Sequence, residues 1–232
     1  MSSAIANPHL VAPLTHLGAR EPRVVVIMLH GRTHDPGVLA RDVVDHLDVP
    51  GVAYVAPTAA GRVWYPRSFL APFAENEPDL GHALASVDVI SDAWVERGVP
   101  REAQVILGFS QGACLACEYV YRRRAQRFGA LIAFTGGLLG PRGTNWDVPV
   151  SAWAGMPVVL GGSREDPWVP YDRMQETATV MRSGGAVVES YYKDGDEHAV
   201  YAPQLRVAQE ILASLAGQSW SSAVSSSKRL PA

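Results

Sequence analysis

The chain has 232 residues, of which 47% are apolar and 19% are charged, and its formal net charge is −3 at pH 7. This length and composition predict one globular domain with a sizeable buried core and exclude a disordered or fibrous chain. The small negative charge gives no electrostatic basis for nucleic-acid binding, and no apolar run approaches the length needed for stable membrane insertion.

Residues 1–20 show no apolar periodicity and lack the charged-then-apolar order of a signal peptide. We therefore expect a mobile N-terminal extension, a folded domain over residues 21–217 and a cytoplasmic location. The apolar run at 23–29 is typical of a buried strand in a parallel sheet, and it leads into a loop that begins His30-Gly31-Arg32. The next predicted elements are a helix at 36–48 and a strand at 52–56.

A long aperiodic loop from 57 to 76 follows, and it is rich in large apolar side chains. Two interpretations are open: the loop forms a wall of a substrate pocket, or ordinary packing holds it to the body of the domain. The pocket candidates come from this loop and from two later positions: Trp64, Tyr65, Phe69, Leu70, Leu138 and Trp168. Such side chains suit an uncharged or acyl substrate of modest size.

The helix predicted at 79–97 has the clearest amphipathic period of the chain, and a strand predicted at 104–108 follows it. This strand leads directly into Gly108-Phe109-Ser110-Gln111-Gly112, which precedes a helix predicted at 111–124. A serine in that position is forced into a strained turn that exposes its hydroxyl, and the flanking glycines relieve the crowding. The motif predicts a nucleophile elbow with Ser110 as the nucleophile of a hydrolase.

Backbone amides beside the elbow are the candidate oxyanion donors. The start of a helix presents free N–H groups, and in this kind of hydrolase the loop after the first strand supplies a second donor. We expect the N–H groups of Gln111 and Arg32 to stabilise the developing oxyanion. Cys114 and Cys117 are interpreted as packing residues of the same helix, and since no set of four zinc ligands exists, neither a metal nor a cofactor is expected.

A carboxylate that follows a strand can orient a histidine and stabilise its protonated form. The next predicted strands cover 129–134 and 157–161. Asp166 follows the second of them and is our candidate for this role. Glu165 is the main alternative, and Asp147 and Asp172 are weaker ones.

His198 is the one histidine that follows Ser110, and six others precede the serine. Because the base follows the nucleophile in this fold, His198 is the candidate general base. The remaining predicted elements are a helix at 170–183, a strand at 186–192 and a helix at 203–215. We expect the serine-rich tail at 218–232 to be mobile.

The alternation of strands and helices indicates an α/β fold with a mostly parallel sheet flanked by helices. Four motifs resemble those of the phospholipase/carboxylesterase family, roughly from residue 22 to residue 215: Leu29-His30-Gly31, Gly-Phe-Ser-Gln-Gly at 108–112, Asp166-Pro167 and Gly-x-x-His at 195–198. The resemblance implies an α/β-hydrolase fold without a large cap, in which Ser110, Asp166 and His198 cleave esters or thioesters. Two positions depart from the family pattern, since Thr33 replaces a usual glycine and Glu197 replaces a usual small residue.

The resulting hypothesis is a serine hydrolase that forms an acyl-enzyme on Ser110 and cleaves small carboxylic esters, thioesters or lysolipids. An acyltransferase or biosynthetic esterase is an alternative, because the same acyl-enzyme can pass its acyl group to an alcohol or amine. A non-catalytic binding protein on a hydrolase scaffold is a less favoured alternative. The sequence leaves the oligomeric state open, a homodimer included.

Overall fold

Seven strands form one sheet in the computed structural model, which describes residues 7–220. The strands are β1 (Thr15–Gly18), β2 (Val24–Leu29), β3 (Val52–Ala56), β4 (Gln104–Phe109), β5 (Ala130–Phe134), β6 (Pro157–Ser163) and β7 (Val187–Lys193). The α-helices are α1 (Pro36–Asp42), α2 (Asp79–Glu96), α3 (Gln111–Arg122), α4 (Tyr171–Ser183) and α5 (Ala202–Ala216). The strand order is β1-β3-β2-β4-β5-β6-β7, in which β1 pairs antiparallel with β3 and the other neighbours pair in parallel.

The sheet separates two apolar cores because successive side chains of a strand point to opposite faces. In β2 the alternation divides the residues into two sets: Val25, Ile27 and Leu29 on one face and Val24, Val26 and Met28 on the other. The first set packs with α2, α3 and α4, and the second packs with α1 and α5. The structure thus confirms the predicted mostly parallel sheet flanked by helices.

All predicted strands and helices are present, but α1 is shorter than predicted. It ends at Asp42 instead of residue 48, and a single 3-10 turn follows at Val44–His46. The backbone leaves the helical conformation at Val43, whose φ is −128°, and the Val43 side chain is buried in the core. Two consecutive β-branched valines disfavour continuation of the helix, and the burial of Val43 stabilises the turn instead.

Strand β1 was not predicted, since residues 15–18 fall within the expected mobile extension. The strand is an edge strand whose register runs from Thr15 opposite Ala56 to Gly18 opposite Ala53. Four residues with alternating partial burial are too short for a reliable periodic signal. The mobility expected for residues 1–6 and 221–232 lies outside the described residues, and the domain boundaries stay a prediction. Between residues 7 and 220, no helix combines the length and apolar character required to cross a membrane.

Candidate active site

Ser110 occupies a sharp turn between β4 and α3. Its φ and ψ are 54° and −119°, a conformation in which a residue with a side chain is strained. The Ser110 N–H donates to the carbonyl oxygen of Phe134 at the end of β5, with a distance of 3.0 Å. This bond to the neighbouring strand stabilises the strained turn at the carboxyl edge of the sheet.

The two glycines of the elbow are required by close backbone contacts. A β-carbon at Gly108 would overlap the backbone of Gly112, and one at Gly112 would overlap the carbonyl oxygens of Leu29 and His30. Helix α3 therefore approaches the end of β2 more closely than any residue with a side chain would allow. This contact brings the loop after β2 next to Ser110.

The structure brings His198 and Asp166 together from two neighbouring loops. Asp166 follows β6, His198 lies between β7 and α5, and 2.7 Å separates Asp166 Oδ2 from His198 Nδ1. Asp166 Oδ1 accepts hydrogen bonds from the N–H groups of Trp168 and Val169, at 2.8 and 2.9 Å. Since a carboxylate only accepts hydrogen bonds, Nδ1 carries the proton and Nε2 is the basic nitrogen of the ring.

The three alternative carboxylates do not take this position. Asp172 is paired with Arg142 at 2.7 Å, and Asp147 is exposed. The side chain of Glu165 is also exposed, while its backbone N–H donates to the carbonyl oxygen of Gly195. The carboxylate that contacts His198 is that of Asp166, whose side chain is 0% exposed.

Ser110 and His198 line the same pocket. The imidazole packs against the ring of Phe109, the residue before the serine, with 5.1 Å between ring centroids. Within residues 7–220 the Ser110 hydroxyl forms no hydrogen bond, to His198 or to any other group. Bonds between a nucleophile and its base are often long without substrate and tighten when substrate binds.

The loop that carries His198 is held by its backbone carbonyls. The carbonyl of Glu197 accepts hydrogen bonds from the hydroxyls of Ser163 and Tyr201, and that of Ala199 accepts one from Thr135. The Glu197 carboxylate forms an ion pair with Lys193. The bonds that hold the loop use backbone oxygens, so they do not require a small side chain at position 197. The Glu197 side chain is directed to Lys193 instead.

Two free backbone amides lie beside Ser110. Arg32 and Gln111 both line the pocket, and neither N–H donates to another group in the described part of the chain.

Thr33, which replaces a usual glycine, has a φ of 65° in the left-handed region. The Thr33 N–H donates to the carbonyl oxygen of Arg62 at 2.8 Å, and the Thr33 hydroxyl donates to the carbonyl oxygen of Arg32 at 2.6 Å. These two bonds offset the strain of a β-branched residue in this conformation.

The side chain of Gln111 has a contact that sequence reasoning missed. Its Oε1 accepts a hydrogen bond from the N–H of Trp64 at 3.1 Å, and its Nε2 donates to the carbonyl of Tyr65 at 2.8 Å. This amide thereby ties the loop between β3 and α2 (residues 57–78) to the elbow. The signal available was the glutamine in Gly-Phe-Ser-Gln-Gly, which the general G-x-S-x-G pattern leaves unspecified.

The pocket has a volume of about 550 Å³ and is lined by only part of the predicted set. Tyr65, Phe69 and Trp168 line it. Trp64 does not line it; its indole is buried and donates to the carbonyl of His30 at 2.8 Å. Leu138 does not line it either, and packs in the core.

Leu70 does not line this pocket either, and lies against a separate cavity beside Arg142 and Arg173. The sequence identified a functional loop but could not orient its side chains, because an aperiodic segment has no inward-facing register. Arg32 was predicted only as a backbone donor, and several other lining residues were not predicted as site residues: His34, Arg67, Phe109, Cys114 and Val169. Burial raises the pKa of Cys114 to about 12, so this thiol stays protonated at neutral pH.

A sequence profile described as phospholipase/carboxylesterase matches residues 13–216. The crystal structure of a phospholipase/carboxylesterase from Dyadobacter fermentans is 32% identical, with a TM-score of 0.75, over 86% of this chain and 95% of that one. Carboxylesterases from Bacillus cereus and Mesorhizobium loti share the fold at 16% and 19% identity, with TM-scores of 0.70 and 0.68. Both matches cover 87% of this chain, and they cover 93% and 94% of those chains. No curated protein matches the chain significantly.

Proposed function

The chain belongs to the phospholipase/carboxylesterase family of α/β-hydrolases and is a carboxylesterase-type hydrolase, and we propose that it cleaves esters through an acyl-enzyme on Ser110. The observation that carries this proposal is the contact between Asp166 Oδ2 and His198 Nδ1. It leaves His198 Nε2 as a base beside the pocket that Ser110 lines.

In the first half of the reaction, His198 Nε2 accepts the Ser110 proton while Ser110 Oγ attacks the ester carbonyl. The carbonyl oxygen becomes an oxyanion, which accepts hydrogen bonds from the N–H groups of Arg32 and Gln111. Asp166 stabilises the imidazolium that forms. His198 then donates the proton to the leaving alcohol oxygen as its bond to carbon breaks, and the acyl group stays on Ser110.

In the second half, His198 Nε2 accepts a proton from water as the water oxygen attacks the acyl carbonyl. The tetrahedral intermediate uses the same two backbone donors. It collapses with release of the carboxylic acid, and the proton returns from His198 to Ser110 Oγ. The enzyme is regenerated without a cofactor.

The pocket suits acyl groups of modest size. Tyr65, Phe69, Phe109 and Trp168 provide aromatic walls, and Trp168 is 71% exposed. We propose oxygen esters as the main substrates. Thioesters and lysolipids would form the same acyl-enzyme, so a rate survey over acyl chain length, with matched oxygen esters and thioesters, tests this preference.

The test of the mechanism is turnover of p-nitrophenyl butyrate by Ser110→Ala. We expect kcat to fall by at least about 10⁴-fold, because no other group supplies the nucleophile. Ser183→Ala is the matched control, since the Ser183 hydroxyl is exposed and donates to Val180 at the end of α4. Turnover by Ser110→Ala at the wild-type rate would overturn the proposal.

A further inference from the structure

Two arginines line the pocket beside Ser110. Arg32 and Arg67 belong to its wall, and among the described residues that line it there is no aspartate or glutamate. Both arginines are exposed, and they lie in different loops, after β2 and after β3. The sequence predicted an uncharged or acyl substrate for this pocket; the two arginines add a cationic part to a wall that is otherwise largely aromatic.

Hydrogen bonds hold the two arginines next to each other. Arg32 Nη2 donates to the carbonyl oxygens of Tyr65 and Arg67, at 2.8 and 3.0 Å. The N–H of Arg67 donates to the Asn76 side chain at 2.8 Å. The backbone of Arg67 is therefore fixed from both sides, and its guanidinium remains available to a ligand.

Neither guanidinium forms an ion pair within residues 7–220. By contrast, Arg62, five positions before Arg67 in the same loop, forms an ion pair with Asp35 of the loop after β2. The distance from Arg62 Nη2 to Asp35 Oδ2 is 3.6 Å. Two cations in one pocket wall that has no carboxylate among its described residues repel each other, and a bound anion would lower their electrostatic energy. A guanidinium also matches the planar, two-oxygen geometry of a carboxylate.

We propose that the preferred substrates are esters with a carboxylate a few atoms from the scissile bond, and that Arg67, assisted by Arg32, binds this carboxylate. The short separation follows from Arg32, whose own N–H is a candidate oxyanion donor. This inference rests on the proposed esterase function. The carboxylate can belong to the acyl group or to the leaving alcohol, since both arrangements place an anion beside the same reacting carbonyl.

The test compares two pairs of esters in which one member is anionic and the other neutral. Monoethyl adipate and ethyl hexanoate place the difference in the acyl group, and 4-acetoxybenzoate and its methyl ester place it in the leaving group. For the wild type and Arg67→Gln, kcat/KM is measured for each ester. Dividing the wild-type ratio of a pair by the variant ratio cancels the intrinsic reactivity of the esters.

We expect Arg67→Gln to lower the ratio of anionic to neutral kcat/KM by about fivefold or more in at least one pair. The pair that responds identifies which side of the ester carries the carboxylate. Raising NaCl from about 20 mM to about 500 mM should reduce the same ratio in the wild type, because salt screens exposed charges. Arg142→Gln is the matched control, as Arg142 is exposed, pairs with Asp172 and lies outside this pocket.

An unchanged ratio in both pairs would overturn the inference. An equal loss of kcat/KM for both members of each pair would also overturn it. That result would mean that Arg67 supports the structure of its loop or stabilises the oxyanion, without recognising a substrate carboxylate. The neutral esters keep this failure distinct from failure of the proposed function. Wild-type turnover of them that Ser110→Ala abolishes would show that the serine mechanism holds even where anion selectivity is absent.

Discussion

Asp166 has both carboxylate oxygens engaged, one by His198 and one by two backbone amides. The amide bonds fix the orientation of the side chain, so the oxygen that faces His198 has little freedom. This arrangement sets the tautomer of the imidazole. Its consequence for the reaction is testable without disturbing the fold.

We predict that Asp166→Asn lowers kcat for p-nitrophenyl butyrate by about 10³-fold to 10⁴-fold. An asparagine oxygen can still accept the Trp168 and Val169 amide bonds, while its NH₂ group facing His198 favours the wrong tautomer. Circular dichroism and the melting temperature should stay close to the wild type. Glu165→Gln is the matched control, because Glu165 is exposed, neighbours Asp166 in the chain and forms no ion pair with His198. An equal loss in the two variants would contradict the assignment.

Among the site residues, the sequence identified those that belong to a short motif or that are distinguished by their order along the chain. Ser110 lies in a short motif, and His198 is the one histidine after it. Arg67 has neither kind of signal, because the role proposed for it depends on the neighbouring Arg32 and on a pocket wall in which no described residue is an aspartate or glutamate. Such a property appears only when two loops meet in space.

The close contact between α3 and β2 is the element-scale feature that shapes the site. Gly112 is the point of contact, and the carbonyls of Leu29 and His30 lie where a β-carbon would be. The loop with the Arg32 amide begins at this point. The separation of the two elements therefore controls the position of one candidate oxyanion donor relative to the other.

We predict that Gly112→Ala lowers the free energy of unfolding by about 1–3 kcal/mol or more and strongly reduces esterase activity. The added methyl group must push α3 away from β2, which moves the Arg32 amide relative to Gln111. Urea unfolding and p-nitrophenyl butyrate turnover measure the two effects. In the control Gly217→Ala, the new β-carbon would lie 3.5 Å from the nearest backbone atom, an ordinary contact; wild-type stability and activity in Gly112→Ala would refute this reasoning.

The central strands were predictable because a strand buried on both faces is a continuous apolar run. Strand β2 is of this kind, with all six residues buried. Strand β1 is a four-residue edge strand and has no such run. The end of α1 was not predictable for a different reason, since burial of Val43 in the tertiary structure decides it.

The stability of the whole molecule should depend on His9 and His30, two buried histidines whose rings pack against the ring of Trp64. His30 Nδ1–H donates to the carbonyl of Gly31 at 2.8 Å, and its Nε2 accepts from the N–H of Ala59 at 3.0 Å. Both nitrogens are thus used in the neutral form. Burial lowers the pKa of His30 below its ordinary value of 6.5, and burial lowers that of His9 as well.

We predict that the wild type loses stability as the pH falls below about 6.5. The unfolded chain binds a proton on His30 more readily than the folded chain does, so the stabilisation is full above 6.5 and declines towards the lower folded pKa. His30→Gln lacks this titration. The difference in unfolding free energy between wild type and His30→Gln, measured by urea unfolding, should narrow from about pH 8 to about pH 5, and a constant difference would contradict the prediction.

The most direct test of the serine mechanism is the site of covalent labelling by a fluorophosphonate, which phosphonylates an activated serine with loss of fluoride. Peptide mass spectrometry of the labelled wild type should place one adduct on Ser110, and Ser110→Ala should remain unlabelled. His198→Ala should label far more slowly, because the base that activates the hydroxyl is gone. An adduct on another residue, or equal labelling of wild type and Ser110→Ala, would contradict the account.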